Sequence, residues 1–187
     1  MREIVARLLC IFAGYLSMIW AQEPKELTEA EFEKELAIAE AFLKQAPTET
    51  KPVNRFIGVT AVTSVVENVG RMTDGSPLRL KAIALARNCA ALPEYSMEPD
   101  LRKQKRPEGI DDHQAHSRLD FAWGVLRATG VLRDGMRLEE VVGLLGQPTK
   151  VGPEFAEWYY SSGMHVNPCL RWRTDGRVRG RIEETLY

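Results

Sequence analysis

The chain has 187 residues, 44% of them apolar and 27% charged, with a formal net charge of −1. That balance predicts an ordinary globular core and argues against disorder. It gives no reason to propose bulk nucleic-acid binding, which needs a strong positive field, so the placement of the charges matters more than their sum.

Met1–Ala21 reads as a cleavable secretory signal peptide. Arg2 and Arg7 flank a short polar start, and an apolar stretch then opens with Leu8-Leu9-Cys10-Ile11-Phe12 and runs to Ala21. The stretch is too short to span a bilayer comfortably, which takes about 20 apolar residues. Ile19-Trp20-Ala21 before Gln22-Glu23-Pro24 is an acceptable cleavage site. The bulky Trp20 keeps an uncleaved membrane anchor open as the alternative. A lipid anchor fits less well, because Cys10 lies inside the apolar run. Removing Met1–Ala21 leaves 23 basic against 25 acidic residues, in a product expected to be soluble and to lack a transmembrane segment. The expected location is the periplasm or cell envelope. In that oxidising compartment Cys89 and Cys169 form an even pair. A bridge between them would close a long loop and stabilise by about 4 kcal/mol in the chain-entropy model. Two buried thiols are the alternative.

After a tether at 22–25, Thr28 and Glu31 have capping-box spacing, and Leu27 and Phe32 that of a hydrophobic staple. Phe32, Leu36, Ala39 and Leu43 then share one helical face, and Pro47 ends the helix. Val53–Arg71 is rich in Val and Thr, which suits strands. Its length, and the spacing of Ile57, Ala61, Val65 and Val69, favour a buried helix. Asp74-Gly75 marks a turn, and Ser76-Pro77 starts a further helix. Its stripe is Leu78, Ala82, Leu85, Cys89 and Leu92. Residues 93–110 carry three prolines and the run Arg102-Lys103-Gln104-Lys105-Arg106. They read as a solvated linker, with a docking patch as the other reading of the charged run. Asp111 or Asp112 can cap the next helix, which buries Ala115, Leu119, Ala122, Trp123 and Leu126 and closes at Gly130. Leu138–Leu145 forms a short helix ended by Gly146 and Pro148. The period then becomes alternating, predicting strands at Glu157–Ser161, Cys169–Arg173 and Arg177–Thr185.

The domain expectation is a helical region at 22–92, a linker at 93–110 and a second domain at 111–187. The predicted class is α+β: an N-terminal helical region, then a two-layer domain of two helices on a three-stranded antiparallel sheet.

Candidate chemistry is sparse. Asp112, His116 and Asp120 would share a helix face at i, i+4 and i+8 and are the one weak metal candidate. The same residues suit a helix N-terminus, where acids are favoured. His165 with Cys169 has no third group to orient it, and Ser161-Ser162-Gly163 is more simply a turn. No nucleophile motif or phosphate-cradling glycine loop is present. No catalytic residue and no cofactor are therefore predicted.

The C-terminal hairpin gives the sharpest physical inference. A two-residue loop at Asp175-Gly176 would mix apolar and charged residues on both faces. A three-residue loop, with Gly176 left-handed, pairs Trp172 with Val178 and Leu170 with Gly180. It also lines the opposite face with Arg171, Arg173, Arg177, Arg179 and Arg181. Register follows the hydrophobic pattern, so the second arrangement is expected. Opposed like charges destabilise a sheet. Either Glu157, Glu183 or Glu184 compensates them, or the face recognises an anion, which arginine binds bidentately.

Leu132–Pro148, with Gly135-Met136, Val141, Leu145-Gly146 and Pro148, resembles the Gly-Met-x-x-x-x-Val-x-x-x-Leu-Gly-x-Pro signature of the SmpA/OmlA family. That family contains the small lipoprotein of the outer-membrane β-barrel assembly machinery; related domains resemble β-lactamase inhibitory protein. Trp158-Tyr159-Tyr160 and Asp175-Gly176-Arg177-Val178 extend the resemblance over about residues 115–187. It implies two helices on a three-stranded sheet and a non-enzymatic role in protein–protein contact at the envelope. The chain departs from it by lacking a lipidation site and by carrying the added helical region. The expected function is an exported interaction or scaffold protein whose partner is another envelope protein or an anionic surface. The alternatives are a module for an anionic ligand or lipid headgroup, using the same arginines, and a metal-dependent enzyme.

Overall fold

The computed structural model describes residues 26–44, 52–90, 112–159 and 167–183. The expected signal peptide, the linker at 93–110, Ser161-Ser162-Gly163 and His165 lie outside these residues. Among the described residues the fold is α+β, with five helices preceding one four-stranded antiparallel sheet. None of these helices is long and apolar enough to cross a membrane.

The first helix, α1 (Glu29–Lys44), starts at the capping box. The Thr28 N–H donates to Glu31 Oε2 at 2.9 Å, and the Glu31 N–H donates to Thr28 Oγ1 at 3.3 Å. This reciprocal pair satisfies two donors that a helix end would otherwise orphan. The predicted stripe of Phe32, Leu36, Ala39 and Leu43 is buried, joined by Phe42. Residues Pro52–Val69 form α2, which resolves the ambiguous Val/Thr-rich stretch as helix. Local propensity favoured a strand, but burial of Ala61, Val62, Val65 and Val69 on one side outweighs it. Thr60 and Thr63 donate their hydroxyls to the carbonyls of Phe56 and Val59, at 2.9 and 3.1 Å. Gly58 permits the close approach of α2 to α1, because a Cβ there would run into the Phe42 ring.

Ser76 Oγ accepts from the Arg79 N–H at 3.2 Å and starts α3 (Pro77–Ala90). The next helix, α4 (Asp112–Ala128), packs along α3 and against α2. Arg79 ties the two ends together, donating to Met72 O at 2.7 Å and to Thr129 O at 3.1 Å. The short α5 (Leu138–Leu145) buries Val141 and Leu145 and stops at Gly146, whose φ is +78°.

The sheet runs in the order β1 (Lys150–Gly152), β2 (Phe155–Tyr159), β3 (Asn167–Arg173), β4 (Val178–Glu183). The expectation of three strands is thereby corrected to four. Lys150-Val151-Gly152 is too short to display an alternating pattern. It becomes a strand because it pairs with Glu157, Ala156 and Phe155. That pairing also sets the start of β2 at Phe155, two residues before the expected Glu157.

One side of the sheet contributes Ala156, Trp158, Leu170 and Val178 to the same buried cluster that holds Phe32, Val65, Leu85 and Leu126 from the helices. Indole donors fasten that side to the preceding segment. Trp158 Nε1 donates to Gly146 O and Trp172 Nε1 to Met136 O, both at 2.9 Å. Arg127 of α4 donates to Val178 O at 3.1 Å, covering part of the β4 edge.

Candidate interaction surface

The hairpin between β3 and β4 adopts the register that the apolar pattern requires: Trp172 opposite Val178 and Leu170 opposite Gly180. Its loop is Thr174-Asp175-Gly176. The Arg173 N–H donates to Arg177 O at 3.1 Å, and the Gly176 N–H donates to Arg173 O at 2.9 Å. Gly176 has φ +72°, and its carbonyl accepts from the Gly135 N–H. Left-handed backbone at this position is what lets a three-residue loop match the strand twist.

Alternation then puts Arg171, Arg173 and Arg179 on the side away from Leu170 and Val178. Arg171 stands directly opposite Arg179, and Cys169 opposite Arg181. Arg181 shares that face by register; its side chain lies outside the described residues. Arg177 closes the loop beside Arg173.

Compensation for these charges is partial. Glu157, on β2, pairs in register with both Arg171 and Lys150. It is 6% exposed and accepts from the Arg171 guanidinium through a tight ion pair. Of the three carboxylates considered from the sequence, it is the one that meets an arginine among the described residues. Glu183 stands opposite Asn167 in register, but its side chain, like the whole of Glu184, lies outside the described residues. Arg177 Nε is 3.6 Å from Asp175 Oδ2 in its own turn. Arg173 and Arg179 are exposed, and no carboxylate meets either among the described residues.

Two further members of the face escaped the sequence reading, Phe155 and Lys150. The Arg171 guanidinium lies 5.1 Å from the Phe155 ring centroid and the Lys150 ammonium 5.8 Å from it. Both distances are within cation–π range. Phe155 stands two residues before Glu157 and so shares its face of β2, a signal that a strand beginning at Glu157 does not contain.

Of the other predicted sites, Cys169 shares this side of β3 by register, opposite Arg181, while Cys89 belongs to α3. Cys89 and Cys169 are both buried thiols, in place of the candidate bridge. Cys89 joins the core cluster. Burial pushes the Cys89 thiol up to about 11, against the opposing influence of Arg118 and Lys44. Asp112, His116 and Asp120 lie on α4 at the expected spacing, with the side chains of Asp112 and His116 outside the described residues. Asp120 is half-buried and has an interaction of its own. Among the described residues no group of three or more His, Cys, Asp or Glu converges. Comparison with protein-family models, with curated proteins and with solved structures finds no match for this chain.

Proposed function

We propose that this chain is an exported, non-enzymatic interaction protein of the bacterial cell envelope that holds its partner against the arginine face of the sheet. The observation that carries this reading is the unequal pairing of that face. Arg171 has Glu157, whereas Arg173 and Arg179 are exposed and meet no carboxylate among the described residues. Opposing Arg171 to Arg179 costs stability in the isolated protein. An anionic partner would offset that cost on binding, with guanidinium forks suited to carboxylates.

The envelope assignment is supported by the export pattern of Met1–Ala21 and by the resemblance to the SmpA/OmlA family. The signature residues act structurally here: Gly135 has φ +83°, and Met136, Val141 and Leu145 are buried. In this reading α4 and α5 form a layer against the apolar side of the sheet, leaving the arginine side for contact.

Cross-linking in envelope fractions, with the captured partner identified by mass spectrometry, tests the proposal. The double variant Arg173→Ser/Arg179→Ser is expected to lose the cross-linked partner while keeping its circular dichroism. Undiminished capture by that variant would remove the arginine face as the contact surface.

A further inference from the structure

We infer that the occupant of the arginine face is an acidic polypeptide segment gripped by Arg173 and Arg179; this rests on the contact surface proposed above and names its partner chemistry. The cations on the face are not equivalent. Arg171 is committed to buried Glu157 and to the Phe155 ring. Arg177 leans on Asp175 of its own turn. Arg173 and Arg179 keep their guanidinium groups available to solvent.

Register makes these two a diagonal pair, since Arg179 faces Arg171, two residues before Arg173. Diagonal neighbours on an antiparallel ribbon stand about 7–8 Å apart. In an extended chain, side chains at i and i+2 lie on one side about 7 Å apart. A segment with acids at alternate positions therefore brings one carboxylate to each guanidinium, and each pairing can be bidentate. Half-buried Phe155, opposite Arg173, adds an apolar patch beside the pair, and exposed Lys150 extends the positive field across it. A single phosphate uses this geometry less well. Small ligands are held by polar groups converging in a concave site, whereas these forks rise from separate positions on a two-stranded ribbon.

Fluorescence anisotropy of a labelled decapeptide alternating Glu and Gly, titrated with the purified protein, reads the inference directly. Binding is expected at low salt and should weaken as salt rises. The matching peptide alternating Gln and Gly should not bind. Arg173→Ser/Arg179→Ser should weaken binding by about ten-fold or more. Arg173→Lys/Arg179→Lys should recover only part of it, because lysine keeps the charge and lacks the fork. That second variant also carries the test if the serine variant does not fold. The charge-matched pair Arg87→Ser/Arg133→Ser, at exposed positions elsewhere, should change binding by less than about two-fold.

Equal losses in the two serine double variants, or equal binding of the two peptides, would overturn the inference. So would arginine-dependent binding to phosphatidylserine vesicles without peptide binding, which would make the occupant a membrane surface. Salt-sensitive self-association without peptide binding would make it a second copy, whose α1 exposes Glu29 and Glu33. If the peptide fails while Arg173→Ser/Arg179→Ser still loses the envelope partner, the acidic-segment inference falls alone. If both fail, the contact surface falls with it.

Discussion

Glu157 and Cys89 are buried for opposite electrostatic reasons. Glu157 is held inside by its contact with a guanidinium, and Arg171 keeps part of its own surface in water. Cys89 is buried as a neutral group, and its thiol is pushed up to about 11 by desolvation. The sign of the resulting pH dependence follows. An exposed thiol in the unfolded chain ionises near about 8.5. Stability from keeping Cys89 neutral is therefore fully present below that range, and it is lost as pH rises towards about 11. Urea midpoints should fall between about pH 8 and about pH 10.5 in the native sequence, and fall less in Cys89→Ala. An equal alkaline fall in both proteins would mean that other groups control it. Cys89 should also resist thiol reagents near neutral pH, since the thiolate is the reactive form.

Among the elements, the β3–β4 hairpin was the most legible and β1 the least. Alternation in Leu170-Arg171-Trp172-Arg173 admits one register that buries the apolar residues, and a one-residue slip would expose all of them. Gly176 makes the matching loop possible. Gly176→Ala should therefore cost about 1–2 kcal/mol for the left-handed backbone. The added Cβ would also approach Gly135 Cα at 3.3 Å. Thermal melts read the loss; a stability within error of the native protein would mean the loop is not held in this conformation. β1 has no comparable signature, because three residues cannot display a period. It forms only because Phe155–Tyr159 offers a partner edge. The helix α2 shows the same competition: its β-branched residues suit a strand locally, and tertiary burial against α1 and α4 overrides that preference.

At the scale of the molecule, the helices and the sheet bury their apolar residues in one continuous cluster from Phe32 to Val178. Trp123, Trp158 and Trp172 report on its C-terminal part, whereas far-UV circular dichroism is dominated by all five described helices. The two signals should therefore unfold at one midpoint, as a cooperative domain does. Separate midpoints would reveal independently folding halves. Leu126, fully buried within the cluster, should cost about 2–5 kcal/mol when replaced by Ala and should lower both signals together.

By itself, the sequence determined the features set by near neighbours. These are the Thr28–Glu31 cap, the stripes of α1, α3 and α5, the stops at Gly130 and Gly146, and the arginine side of the hairpin. Each depends on spacing along a few turns of chain, so local pattern suffices. The tertiary structure decided what depends on residues distant in sequence. It added β1, held Pro52–Val69 as a helix against its strand-like propensity, and left Cys89 and Cys169 as buried thiols on α3 and β3. It also distributed partners among the arginines, giving Glu157 and Phe155 to Arg171 while leaving Arg173 and Arg179 exposed. Charge pairing across strands depends on register and on which neighbouring strand supplies a carboxylate, and neither is written in the alternation of a single strand.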